Sequence, residues 1–234
     1  MTPLSKNARI VGFLYLLLVF AGPLRLIYIP SVLFVHGDAA ATAGNILAHE
    51  TLFRLGIVAD LFGGAVLVFL SLTFYRLFKD VDQYQAALLV ITGGIIPCTL
   101  YFVNVVNDAA TLQLVKGDDF LNVFNQPQRE ALAYLFIHLH YQAVLAAEVF
   151  WGIWLFPMAI LTIKSNFLPK FLGWWLILNG CAYLIQSFVG EMYPQYEDMV
   201  SKYSFPFQLG EIAFVLWVLI MGAKQRKTTD ALVS

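Results

Sequence analysis

Residues 9–30 read RIVGFLYLLLVFAGPLRLIYIP, a run of apolar side chains whose only internal charge is Arg25. A transmembrane helix needs about 20 such residues. Five more runs of bilayer length follow, at about 53–78, 84–112, 131–163, 169–190 and 204–223. The sequence therefore predicts an all-α, polytopic bundle of six transmembrane helices.

The composition agrees with this class. Hydrophobic residues make up 60% of the 234 residues and charged residues 12%, against roughly 45–50% and about 25% in soluble domains. The six spans and their connections use nearly the whole chain, so we interpret residues 1–234 as a single transmembrane domain whose solvent is the lipid bilayer. A net charge of −1 argues against nucleic acid as a partner, because nucleic-acid binding requires a basic face.

The distribution of lysine and arginine predicts the orientation of the bundle. Nine of these residues fall in the connections on one side and four on the other. The first group consists of Lys6, Arg9, Arg76, Lys79, Lys164, Lys170, Lys224, Arg226 and Lys227, and the second of Arg54, Lys116, Arg129 and Lys202. Because positive residues accumulate in cytoplasmic loops, we expect the first side to be cytoplasmic and both termini to lie there.

Polar and ionisable residues within the predicted spans are candidates for function, because they are costly to place in lipid. Asn104 and Asp108 share one helical face, as do Asn179 and Gln186, and these sets fall in the predicted outer half. We expect a polar pocket that opens outward. The alternative is that such groups only hydrogen-bond neighbouring helices. The candidates from this pattern are Asp60, Asn104, Asp108, His138, His140 and Glu211.

Hydrogen bonding between helices explains the carboxyl groups of Asp60 and Glu211 less well, since a buried carboxylate needs a cation, a proton or water. Arg25 and Arg54 are the nearest basic residues that could supply the cation.

The four histidines raise the question of a metal site, since imidazole and carboxylate are zinc ligands. His138 and His140 point about 200° apart on a helix, so we expect at most one of them to reach a given ion. A site would combine that histidine with His49 and with a carboxylate such as Asp60. His49, His140 and Asp60 are therefore the metal candidates, although no ligand-spacing motif supports them, and no cofactor can be named.

Residues 37–61, GDAAATAGNILAHETLFRLGIVADL, resemble a bacterial integral membrane family catalogued as domain of unknown function 4386. A second similar stretch runs from His140 through Phe150-Trp151-Gly152 to residues 167–173, FLPKFLG, and the opening Ala8-Arg9-x-x-Gly12-x-Leu14-Tyr15 is also similar. The resemblance implies a multi-pass protein of the bacterial inner membrane without an assigned activity. It draws attention to polar positions within the matching stretches, which are Asp38, Asn45, Arg54, Asp60 and His140.

Three functions are compatible with these observations. The first is a non-enzymatic protein that binds a small or lipid-like ligand in the outward-facing pocket. The second is an intramembrane metal-dependent hydrolase or transferase that acts on lipid, with a histidine–carboxylate site activating water. The third is a structural subunit of a membrane complex, in which the polar stripes face a partner. The oligomeric state cannot be read from the sequence.

Overall fold

The computed structural model describes residues 2–224, which form seven helices and no β-strand. Six of the helices are long and apolar enough to cross a membrane, which confirms the predicted all-α bundle of six spans. The orientation stays a prediction, and Arg226 and Lys227, on which it partly rests, lie outside the described residues. The helices are α1 (Pro3–Leu33), the short α2 (Ala39–Ala48), α3 (Glu50–Phe78), α4 (Gln83–Lys116), α5 (Gln126–Lys164), α6 (Lys170–Met192) and α7 (Glu197–Ile220).

Several helices begin and end at capping residues. Asp38 and Asp82 accept hydrogen bonds from backbone N–H groups in the first turns of α2 and α4. Asn125 and Gln128 form a reciprocal capping box at the start of α5. Gly117, with φ of 71°, ends α4 in the left-handed conformation that glycine adopts readily. These residues therefore set where α4 begins and ends and where α5 begins.

The six long helices form a closed ring in chain order. Each long helix packs against the next, and α7 returns to pack against α1. The short helix α2 lies across α5 and α4 at the predicted outer end. Because the first and last spans are neighbours, residues far apart in the sequence meet along their interface.

The predicted cytoplasmic half of the ring is filled by aromatic side chains. Phe74 contacts the rings of Trp154 and Phe214 at centroid distances of 6.0 and 6.1 Å, and all three are at most 5% exposed. Gly93 lies directly against the Trp154 ring, where a Cβ atom would not fit. This half is therefore a packed core.

Two short π-helical segments interrupt the spans, at Leu24–Tyr28 in α1 and Ile91–Ile95 in α4. Each one precedes a proline by two residues, Pro30 and Pro97 respectively. A proline ring clashes with the carbonyl group four residues earlier in a regular helix. The wider turn relieves this clash, and in α1 it contains Arg25.

Candidate functional site

Four buried side chains from four helices meet in the predicted outer half of the bundle. Arg25 of α1 donates from Nε to Asp60 Oδ2 of α3 at 2.9 Å and from Nη2 to Asp108 Oδ2 of α4 at 2.5 Å. His140 of α5 places Nδ1 3.2 Å from Asp108 Oδ1. The exposed fractions range from 2% for both aspartates to 8% for His140. We call these four residues the ionic cluster.

The helical periodicity explains how the cluster assembles. Asp108 and Asn104 lie one turn apart on α4, and both are buried. His138 and His140 diverge on α5 as expected, so that His140 is buried whereas His138 is exposed. The structure leaves Asn104 Oδ1 without a hydrogen-bond partner among the described side chains.

The charges of the ionic cluster nearly balance. One guanidinium group contacts two carboxylates, which leaves one net negative charge if His140 is neutral and both aspartates are ionised. Such ion pairs form inside a bundle only when the geometry and the additional hydrogen bonds offset the loss of hydration. The Arg25 side chain supplies this geometry and these hydrogen bonds, since its planar guanidinium group reaches two carboxylates at once.

The same cluster contains ligand atoms for a metal ion. One ligand atom each from Asp60, Asp108 and His140 lies within 4.8 Å of the other two. Two carboxylates and an imidazole are suitable donors for a divalent cation. However, the Arg25 guanidinium lies between these groups, within 3.1 Å of both nitrogens of the His140 ring. An ion at this position would have to displace Arg25.

A second polar group lies between α1, α6 and α7. Glu211 of α7 accepts a short hydrogen bond from the Tyr15 hydroxyl group and another from Asn179 Nδ2 at 3.2 Å. A chain of amides continues from there: Gln208 donates to Gln186, which donates to Glu148 of α5. None of the described basic side chains forms an ion pair with Glu211. Its described partners are therefore neutral.

Glu211 lines a cavity of about 330 Å³ between α1 and α7. Its wall is rich in aromatic rings, which are Tyr15, Tyr101, Trp151, Trp154 and Tyr183. The rim consists of exposed apolar side chains, which are Leu26, Ile27, Phe205 and Ile212. Because residues with these exposures face lipid in a transmembrane bundle, the cavity opens sideways toward the bilayer.

The two ends of the α1–α7 interface differ in packing. Near the predicted cytoplasmic end, Gly12 lies against Leu219, where a Cβ atom on Gly12 would be 2.7 Å from the Leu219 backbone nitrogen. Ten residues, or about three turns, toward the other end, Gly22 lines the cavity, and a Cβ atom there would meet nothing within 4 Å. The helices therefore touch at one end and separate at the other, and this separation creates the cavity.

The remaining sequence candidates lie apart from both groups. Asp38 caps α2, and Asn45 donates to the carbonyl oxygen of Leu33. His49 is exposed at the junction of α2 and α3, so it lies outside the group of possible metal ligands. Exposed Arg54 pairs with Glu50 one turn away at 2.7 Å. His138 Nδ1 lies 2.9 Å from the carbonyl oxygen of Tyr134.

One contributor was not among the candidates from sequence, and another was named there only as a possible counter-ion. Arg25, one of the two basic residues expected to pair with Asp60 or Glu211, organises the ionic cluster, and its signal was visible as the single charge inside the first apolar run. Tyr15 binds Glu211, but a tyrosine in an apolar span is ordinary, and nothing in the pattern distinguished it. Tyr101 lines the same cavity as Glu211.

Comparisons with known proteins place the chain in a family but supply no activity. An uncharacterised protein of Archaeoglobus fulgidus is 32% identical over 76 residues, which cover 32% of this chain and 44% of the archaeal protein. No solved structure matches. The family described as domain of unknown function (DUF4386) matches residues 10–222. The chain thus belongs to the DUF4386 family of proteins, a domain of unknown function.

Proposed function

We propose that the chain binds a lipid-like amphiphile in the cavity between α1 and α7. The observation that carries this proposal is the cavity itself, which combines an apolar rim facing lipid with a polar group, Glu211, on its wall. A volume of about 330 Å³ falls at the lower end of the roughly 300–1,000 Å³ of small-molecule pockets.

The shape of the cavity favours an amphiphile over a small polar solute. The rim residues Leu26, Ile27 and Phe205 are 38%, 67% and 58% exposed and carry no polar side chain. A ligand that enters between them keeps its apolar tail in contact with lipid and with the aromatic wall. Its polar end then reaches Glu211 and Gln208, the polar side chains of the wall outside the tyrosines and tryptophans.

The experiment is native mass spectrometry of the protein purified in dodecyl maltoside, which counts amphiphiles retained after extraction of bulk lipid. We expect about one tightly bound molecule per chain in the wild type. Gly22→Phe should abolish this retention by placing a ring in the cavity, since Gly22 lines it and a Cβ atom there meets nothing within 4 Å. The control is Phe20→Trp, which adds aromatic bulk at a side chain that is 71% exposed on the same helix. Equal retention by Gly22→Phe and by the wild type would refute the proposal.

A second function is favoured by the ionic cluster. The close approach of Asp60, Asp108 and His140 supports a metal-dependent hydrolase or transferase that acts on lipid, in which the ion activates water. Arg25 would then have to release both carboxylates before the ion binds. Because breaking a buried ion pair is costly, we rank this function below amphiphile binding.

Elemental analysis of the purified protein separates the two functions. A metal enzyme should contain about one ion per chain at three protein ligands, and His140→Ala should lose it. His138→Ala is the matched control, because His138 is exposed two residues away on the same helix. A folded wild-type preparation that binds no zinc or manganese on titration removes the metal-dependent function and leaves amphiphile binding untouched.

We also propose that the protein resides in the cell membrane, as an inner-membrane protein of bacteria, with both termini in the cytoplasm. The excess of lysine and arginine in one set of connections supports the cytoplasmic placement of the termini.

A further inference from the structure

We infer that the amphiphile carries a positively charged nitrogen headgroup, such as an alkylammonium group, which binds at Glu211. This inference rests on the proposed function and names the chemical class of its ligand. It depends on three features of the cavity: the partners of Glu211, the aromatic wall, and the absence of basic side chains from the described lining.

The first feature is a carboxyl group without a cation. Glu211 lies on the cavity wall, and its described hydrogen-bond donors, Tyr15 and Asn179, are neutral. A carboxyl group in a water-poor site takes up a proton unless a counter-charge stabilises its ionised form. In the ionic cluster Arg25 supplies that charge to Asp60 and Asp108. No described basic side chain pairs with Glu211, which lines the cavity. A cation that pairs with it would therefore be part of a ligand in the cavity.

The second feature is the aromatic wall. Trp151, Trp154 and Tyr183 surround the same space as Glu211, and Tyr15 contacts the Trp154 ring at a centroid distance of 5.4 Å. The faces of tryptophan and tyrosine attract cations through their quadrupoles, and aromatic walls of this kind recognise alkylammonium groups. The faces of these rings would not attract an anionic headgroup, because their quadrupoles are negative there.

The third feature is the charge of the lining. Among the described lining residues there is no lysine, arginine or histidine. Arg25 is next to the lining residue Leu26 in sequence, but its side chain is buried with Asp60 and Asp108. A phosphate or sulfate headgroup would therefore meet Glu211 without a compensating charge, and like charges repel at short range.

The test compares two amphiphiles with the same ten-carbon chain, decyltrimethylammonium and decyl sulfate, at equal mole fractions in dodecyl maltoside micelles. Native mass spectrometry measures the fraction of chains that carry one probe. We expect the cationic probe to reach half-saturation at a mole fraction about tenfold lower than the anionic probe. Glu211→Gln preserves the shape and the acceptor for Tyr15 and should reduce this preference to about twofold or less. Glu211→Asp retains the charge and should keep most of the preference for the cationic probe.

The control for the charge change is Glu50→Gln, at a carboxylate that pairs with Arg54 and Lys116 outside the cavity. The selectivity should survive this substitution. If the wild type binds both probes equally, or prefers decyl sulfate, while Gly22→Phe weakens both, the headgroup inference is wrong and the cavity proposal stands. If Gly22→Phe changes the binding of neither probe, both are wrong.

Discussion

Arg25 and Asp108, which are 83 positions apart and lie on different spans, meet at 2.5 Å between Nη2 and Oδ2 in a part of the bundle where both side chains are at most 6% exposed. Asp60 approaches the same guanidinium group from a third span. One cation thus joins α1, α3 and α4. Its removal would leave two buried carboxylates facing each other.

We therefore expect Arg25→Met to destabilise the bundle by about 3–5 kcal/mol, since breaking one side of a buried ion pair leaves uncompensated charge. Thermal unfolding of the detergent-purified protein measures the loss. Arg54→Gln is the control, because the Arg54–Glu50 pair is 54% and 33% exposed and exposed pairs contribute about 0–1 kcal/mol. The triple variant Arg25→Met, Asp60→Asn, Asp108→Asn should recover most of the stability; similar losses in the triple and single variants would contradict the electrostatic explanation.

The α1–α7 interface predicts opposite effects of the same substitution at two glycines. A methyl group at Gly12 would collide with the Leu219 backbone, so Gly12→Ala should cost about 1–3 kcal/mol. At Gly22 the space is open, so Gly22→Ala should be neutral or stabilising by up to about 1 kcal/mol, the gain in helix propensity. Thermal unfolding of the two variants in parallel measures the difference. Equal losses at both positions would mean that the helices touch along their whole length.

The connection between α3 and α4 predicts a dependence on pH. Lys164 Nζ lies 2.6 Å from Asp82 Oδ2, and this hydrogen bond lowers the pKa of Asp82 below its ordinary value of 3.8. A lowered pKa in the folded state adds stability above the unfolded value and loses it as the pH falls through the folded value. The contribution of Asp82 should therefore be fully present at pH 5 and above, and it should shrink as the pH falls from 3.8 through the lowered pKa of the folded state.

Asp82→Asn tests this expectation, because asparagine still caps α4 but carries no charge. Unfolding temperatures measured from pH 6 to pH 3 should converge for the wild type and the variant as the pH falls. Lys164→Met should show the same convergence. A difference that persists unchanged to pH 3 would indicate that the cap, and not the charge, causes the effect.

The orientation can be tested with reporter fusions. A reporter that is active only outside the cytoplasm, joined after Lys116, should be active, whereas one joined after Lys79 should be inactive. Both positions are at the ends of described helices, Gln83–Lys116 and Glu50–Phe78. Activity in the reverse pattern would invert the predicted orientation and move the cavity to the inner half of the bilayer.

The span positions were predictable because a helix that crosses lipid needs apolar side chains along its length. Runs such as residues 9–30 show this composition directly in the sequence. The face shared by Asn104 and Asp108 was predictable for the same reason, since helical spacing is a local property. The divergence of His138 and His140 also followed from it, and the structure buries one and exposes the other.

The grouping of polar residues was not predictable. Asp60 and Glu211 were expected at similar depth, yet they contribute to different clusters, because α3 and α7 have different neighbours in the ring. The cation beside Asp60 could have been Arg25 or Arg54 by depth alone. Arg54 is six residues from Asp60, about 240° around the helix, and so faces away. Which helices pack against each other depends on the whole bundle and cannot be read from the sequence of a single span.

The contact between the first and last spans has a consequence for the order of assembly. Arg9 donates to the carbonyl oxygen of Ile220, a separation of 211 positions in the chain. At the roughly 5–20 residues per second of synthesis, α1 waits about 10–40 s before its partner emerges from the ribosome. During that interval the face of α1 that carries Gly12 and Tyr15 has no protein neighbour from α7. Ring closure therefore cannot precede the synthesis of α7, and the cavity between α1 and α7 forms only in chains that have completed it.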